Sequence, residues 1–133
     1  MKKVEDGVWV AGQVRPEELA GLPVRIVVNN RPDGEEPGQP TSAEVAAAAE
    51  AAGLAYRHIP IAGAFSQADV EAMASALDEG DALAFCRSGT RSTYLWALAR
   101  AARGEDPETL SARAAAAGYD LTPIRALLAR VAP

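Results

Sequence analysis

Ala82-Leu83-Ala84-Phe85-Cys86-Arg87-Ser88-Gly89-Thr90-Arg91-Ser92 is the stretch on which the reading of this chain turns. Its first part, Ala82 to Cys86, is a short apolar run after the turn residues Glu79-Gly80-Asp81, as expected of a strand buried inside a sheet. Its second part is small and polar, and it leads into a helix predicted from about Arg91 to Arg103. A buried strand that passes through a tight polar loop into a helix is a building block of a parallel α/β sheet.

The same alternation continues outward in both directions. Val24-Arg25-Ile26-Val27-Val28 is a β-branched run bounded by Pro23 and by Asn29-Asn30, and it reads as a strand. Leu54 to Ile61 reads as another, and Val8-Trp9-Val10 follows the turn signal Asp6-Gly7 as a third. Between them, Arg15-Pro16-Glu17-Glu18-Leu19 starts a short helix. Thr41 and Ser42, with Glu44, cap a helix running to Gly53. Ser66-Gln67-Ala68-Asp69 caps the next, whose Val70, Met73, Ala74 and Leu77 fall on one helical face. Pro107 to Ala117 and Pro123 to Val131 are two further helical stretches, each with proline in its first turn. The pattern predicts an α/β fold, a parallel sheet of about four to five strands flanked by helices on both faces. A length of 133 residues fits one domain, residues 1–133.

Composition narrows the function classes. Apolar residues make up 49% of the chain but aromatic ones only 5%, so Leu, Val and Ile must pack against small side chains. The net charge of −5 runs against the basic footprint of nucleic-acid binding. No run approaches the roughly 18 apolar residues of a membrane span. Met1 to Asp6 lacks the apolar core of a signal peptide, so the expectation is a cytoplasmic protein. One Cys excludes an internal disulfide, and one Cys with one His cannot build a thiol-based zinc site.

In parallel sheets ligands bind at the carboxyl ends of the strands. Two polar loops leave strands at that edge: Asn29 to Pro40, and Cys86 to Arg91. The first amides of a helix have no internal partners and carry the positive end of its dipole. A thiol placed there favours thiolate, the attacking form. Ser88, Gly89 and Thr90 are small, and Gly89 lets successive amides converge on one anion. Arg91 supplies a planar fork for an oxyanion, Ser92 is placed to hydrogen-bond the sulfur, and Arg87 is an outward recruiting charge. The plainer alternative is a cysteine that merely ends a core strand before solvated arginines; it does not account for the coincidence of junction, glycine and paired arginines. On the other loop, Arg31 and Asn30 are candidates for holding an anionic substrate, with Arg31 equally suited to holding the long loop itself. His58 reads as a hydrogen-bonded structural residue, Trp96 as core, and the Ala-rich tail as scaffold.

The Cys86–Ser92 loop, with Asn29-Asn30-Arg31-Pro32-Asp33-Gly34-Glu35 upstream, resembles the phosphatase-like domain of the beta-lactamase-hydrolase-like proteins, a bacterial family also assigned as sulfurtransferases. The likeness extends from about Val8 through Ala11-Gly12-Gln13 and His58-Ile59-Pro60 to Trp96-Ala97-Leu98. It implies a fold like that of the dual-specificity (cysteine) protein phosphatases. Some members are fused to a metallo-beta-lactamase-like domain of the persulfide dioxygenase type, for which this chain has no room. The resemblance implies a protein of that type as a candidate partner.

Two chemistries share such a thiolate and cradle. Cysteine phosphatases carry one residue more between Cys and Arg, and usually a His before the Cys; here only four residues separate Cys86 from Arg91, and Phe85 stands in the His position. The shorter loop resembles that of rhodanese, in which Cys86 would take a sulfane sulfur as a persulfide and pass it to an acceptor thiol. A phosphatase also needs an acid for its leaving alkoxide. Where a dual-specificity phosphatase would place that Asp, after His58-Ile59-Pro60-Ile61, stands Ala62-Gly63-Ala64; Asp33 is the remaining candidate, or else a simple turn residue of Pro-Asp-Gly. The expectation is a sulfurtransferase acting through Cys86 on a small anionic sulfur donor. The alternatives are a tyrosine or dual-specificity-type phosphatase acting on a phosphoester, and an inactive anion-binding or adaptor domain. Neither enzyme calls for a metal or cofactor. Both require that the sulfur be reachable from solvent.

Overall fold

The computed structural model describes residues 1–133. Its strands are β1 (Lys2–Glu5), β2 (Val8–Ala11), β3 (Ile26–Asn29), β4 (Ala55–His58) and β5 (Ala82–Phe85). Its helices are α1 (Ser42–Ala51), α2 (Gln67–Leu77), α3 (Thr90–Ala102), α4 (Pro107–Ala116) and α5 (Arg125–Val131), with short 3-10 turns at Pro16–Leu19 and Thr122–Ile124. The strands form one five-stranded sheet in the order β1-β2-β5-β3-β4. All its pairs are parallel except β1 with β2.

Alternate side chains along a strand point to opposite faces, and both faces here are covered. Val8, Val10, Ile26, Val28, Ala82 and Ala84 pack with α2, α3 and the C-terminal helices. Val27, Leu83 and Phe85 pack on the other face with Leu19 and with Val45 and Ala49 of α1. The small Ala82 and Ala84 leave space for the large side chains of α3, among them Leu95, Trp96 and Leu98, all fully buried. Trp96 is therefore core, as expected.

The helix signals act where the sequence placed them. Thr41 Oγ1 accepts from the Glu44 amide, and Ser66 Oγ accepts from the Asp69 amide, each within a reciprocal capping box. β4 ends before Pro60, which has no N–H to give a ladder. The segment read as a short helix at Arg15–Leu19 is a single 3-10 turn. The main difference is β1, which the sequence did not announce. Its Lys2 and Lys3 are exposed and only Val4 is buried, so it lacks a clear apolar alternation. It folds back antiparallel through Asp6-Gly7 and makes the sheet mixed at that edge. No helix is long and apolar enough to cross a membrane.

The topology sets the site. β5 is central, between β2 and β3, and the registers Ala11 with Phe85 and Asn29 with Phe85 bring three strand ends level. The Cys86 loop therefore emerges between Gly12-Gln13 on one side and Asn30-Arg31 on the other.

Candidate active site

The base of the Cys86 loop is joined to both neighbours. The Cys86 amide donates to the Ala11 carbonyl (3.3 Å), the Gln13 amide to the Arg87 carbonyl (3.3 Å), and the Asn30 amide to the Phe85 carbonyl (2.8 Å). Gly12 lies so close that a Cβ there would come within 2.9 Å of the Arg87 carbonyl oxygen. Gly89 is the N-cap of α3 with φ +92°, a left-handed conformation that suits glycine. In that conformation its N–H donates to Cys86 Sγ at 3.1 Å. Its carbonyl accepts from the amide and hydroxyl of Thr93 at 2.9 and 2.8 Å. Ser88 Oγ donates to Thr90 Oγ1 (3.0 Å) at the mouth of the helix.

Arg91, in the first turn of α3, is held on two sides. Its Nη1 and Nη2 donate to the two oxygens of Glu35 at 2.8 and 2.9 Å, and Nη1 also donates to the Ile61 carbonyl at 2.8 Å. That uses the far end of the fork and leaves Nε–H and one Nη2 proton without a protein oxygen. The Arg91 pKa is raised, first by the bond to Glu35, which outweighs the cost of burial, and to a lesser extent by the negative charge of a Cys86 thiolate. The carboxyl of Glu35 is held down at about 2, chiefly by Arg91, against the cost of burial, and further by Arg31.

Arg31 anchors this arrangement from below. Its side chain is 1% exposed, and every guanidinium nitrogen is donated: Nε to Glu35, Nη1 to Gln13 and Nη2 to Glu36, at 2.9, 3.0 and 2.9 Å. Burial alone would lower its pKa, but the bonds to Glu35 and Glu36 outweigh that and raise it. Of the two roles open to Arg31, the structure shows loop-holding.

Several sequence expectations need correction. Asn30 is fully buried; its Nδ2 donates to the Ile59 carbonyl (3.1 Å), so it ties strand ends together rather than facing a substrate. Ser92 Oγ donates to Asn30 Oδ1 at 2.7 Å, not to the sulfur. Asp33 Oδ1 accepts from the Ser42 amide at 2.8 Å, which turns it to the start of α1. Arg87 is mostly exposed, with Nη2 at 3.8 Å from Glu36. His58 is structural as expected, its Nε2 2.9 Å from the Arg31 carbonyl. Cys86 itself is completely buried, contrary to the requirement for a reachable sulfur. In this arrangement a substrate reaches it only after atoms covering the sulfur move.

Two residues were missed. Glu35 enters the sequence reading only as the last residue of the Asn29–Glu35 motif; its signal is that one strand-end loop is acidic and the other carries arginines. Tyr119, between α4 and the 3-10 turn at Thr122–Ile124, donates from Oη to the Ser88 carbonyl at 3.1 Å. Burial first, and then the nearby Cys86, raise its phenol pKa. No local pattern marked it.

Fold and loop together define a phosphatase-like α/β domain with a cysteine–arginine loop at the end of its central strand. The comparisons with known proteins agree. Residues 1–103 match the family described as "Beta-lactamase hydrolase-like protein, phosphatase-like domain", and the chain belongs to it. A beta-lactamase hydrolase-like protein of Xylella fastidiosa is 37% identical over 125 residues, covering 89% of this chain and 29% of that protein. One from Agrobacterium fabrum is 35% identical over 108 residues, 77% of this chain and 25% of its own length. The chain thus spans under a third of these curated relatives. Among solved structures, a candidate phosphatase from Neisseria meningitidis superposes with TM-score 0.82 at 32% identity, covering 98% of this chain and 96% of the other. Tk-PTP in its active form superposes with TM-score 0.69 at 18% identity, over 97% and 92% of the two chains, a likeness of fold alone.

Proposed function

We propose that this domain is a cysteine-dependent hydrolase that cleaves phosphoesters whose leaving group needs no proton, aryl phosphates above all. One observation carries the reading. The Gly89 N–H is aimed at Cys86 Sγ while Arg91, in the first turn of the helix that Gly89 caps, keeps one edge of its fork free of protein oxygens. Such a donor set is complementary to a tetrahedral anion seated on the sulfur. Membership of a phosphatase-like family and likeness to a candidate phosphatase support it.

In the first step the Cys86 thiolate attacks phosphorus, the bond from phosphorus to the aryl oxygen breaks, and phenolate leaves with the electron pair. Water then attacks the phosphocysteine, the bond from sulfur to phosphorus breaks as thiolate re-forms, and both protons of the water leave with the phosphate as dihydrogen phosphate. The restriction on leaving group follows from the acids. Asp33 is committed to Ser42, Glu35 and Glu36 to arginines, and Ala62-Gly63-Ala64 follows the end of β4. The buried sulfur adds the condition that the site opens as substrate arrives. The test compares p-nitrophenyl phosphate with an alkyl phosphate. Turnover of the aryl ester alone, abolished by Cys86→Ser, is expected; no turnover of either, or turnover that survives Cys86→Ser, rejects the proposal.

A second reading, sulfur transfer, is favoured by the four-residue spacing between Cys86 and Arg91 and by the same lack of a free acid. The thiolate would attack the sulfane sulfur of thiosulfate, sulfite would leave unaided, and an acceptor thiol would remove the sulfur from the Cys86 persulfide. A mass gain of about 32 Da after thiosulfate, absent in Cys86→Ser, would establish it. If neither assay responds, the domain is a binding module.

A further inference from the structure

The Ser88–Gly89 peptide is held from two sides. Its N–H, on Gly89, donates to Cys86 Sγ at 3.1 Å. Its C=O, on Ser88, accepts from Tyr119 Oη at 3.1 Å. In a trans peptide these two groups point in opposite directions, so Tyr119 stands on the side of the peptide away from the sulfur. The contact is close: a Cβ on Gly89 would collide with Tyr119 Oη.

From this juxtaposition we propose that Tyr119 is a positioning residue for the anion cradle. Its hydroxyl fixes the Ser88–Gly89 peptide with the N–H turned inward, to the sulfur and to whatever anion the sulfur attacks. The inference rests on the reading of the Cys86 loop as a cradle for an anion, and it concerns how the cradle is held.

The orientation that matters is that of this peptide, which can rotate about its flanking bonds. Gly89, with φ +92°, has the conformational freedom to let the unit flip. A flipped peptide would present a carbonyl oxygen to the sulfur and to the anion, replacing attraction by repulsion. The Tyr119 bond opposes the flip, because the carbonyl would lose its donor. A hydrogen bond accepted by a carbonyl also polarises the peptide and strengthens the N–H on its other side. Thr93, through its amide and hydroxyl, holds the next carbonyl, that of Gly89, so both peptides flanking Gly89 have fixed orientations. Tyr119 lies beyond residue 103, where the family match stops. The C-terminal segment, read from the sequence as scaffold, thereby contributes to the site.

The experiment uses Tyr119→Phe, which removes only the hydroxyl, and two readouts that need no substrate. By NMR, hydrogen exchange at the Gly89 amide should accelerate about five- to tenfold, the weight of one net hydrogen bond, while exchange in the middle of α3 stays unchanged. Alkylation of Cys86 should shift in the same variant. The ratio of its rate with iodoacetate to that with iodoacetamide reports attraction for an anion over a neutral reagent, and this ratio should fall by a similar factor. Unchanged Gly89 exchange, or an unchanged ratio in a protein that prefers iodoacetate, overturns the role of Tyr119. A wild-type protein with no preference for iodoacetate instead overturns the cradle reading and this inference with it. Melting temperature is measured alongside: a matching fall in Tm with exchange faster throughout α3 marks a general loss of stability and also overturns the inference.

Discussion

Glu35 and Arg91 meet end to end, both carboxylate oxygens on both terminal guanidinium nitrogens at 2.8 and 2.9 Å, although Glu35 lies on the loop after β3 and Arg91 in the first turn of α3. The pairing joins the two polar loops at the carboxyl edge of the sheet. It occupies the far end of the fork, so it orients Arg91 without blocking Nε. Glu35→Gln keeps the shape but replaces one accepting oxygen by a donor that faces a donor. The expected outcome is a ten- to hundredfold fall, roughly, in kcat/KM for p-nitrophenyl phosphate, the weight of a charge-assisted bond. An unchanged kcat/KM would show that Arg91 is oriented by the Ile61 carbonyl alone.

The same pair makes a prediction in pH. The Glu35 carboxyl is held at about 2 in the fold, against an ordinary 4.5. A depressed carboxyl contributes stability that is fully present above its unfolded pKa and lost as pH falls through the folded value. The contribution should thus persist at neutral pH and fade between about 4.5 and about 2. Thermal melts of the wild type and of Glu35→Gln should differ most above that window and converge within it. A gap independent of pH would contradict the assignment.

Much of this architecture is legible in the sequence, and the reasons are local. Ile26-Val27-Val28 and Ala82 to Phe85 are apolar runs too short for helices, and Thr41 and Ser66 carry their capping partners three residues on. The Cys86 loop could be recognised because strand, glycine and arginine are contiguous. What escaped depends on distance along the chain. β1 is an edge strand whose pairing comes from a hairpin rather than from its own pattern. Ser92 reaches Asn30 and Tyr119 reaches Ser88 only because the sheet and the C-terminal helices bring them together. The burial of Cys86 is likewise a property of the packed molecule.

Asp33 separates a structural role from an acid. Its carboxylate accepts the Ser42 amide at the first turn of α1, an exposed contact of the capping kind. Asp33→Ala should lower stability by about 1 kcal/mol, as loss of a cap does, and leave the aryl phosphate turnover number nearly unchanged. Denaturant melts and steady-state kinetics measure the two effects. A large fall in turnover at constant stability would instead restore Asp33 as proton donor.

Gly89→Ala concentrates two penalties at one position. The residue sits at φ +92°, where an L side chain is strained by about 1–2 kcal/mol, and the new methyl would press on Tyr119 Oη. Relief requires Tyr119 to retreat or the loop to turn, and either movement loosens the N–H held on Cys86 Sγ. Stability should therefore fall by at least the conformational cost, and turnover should drop further than in Tyr119→Phe. The double variant Gly89→Ala/Tyr119→Phe supplies the check. Because the clash involves the hydroxyl, removing it should recover part of the stability lost by Gly89→Ala, so the two changes are less than additive. Strict additivity in denaturant melts would mean that Tyr119 and Gly89 do not touch in solution.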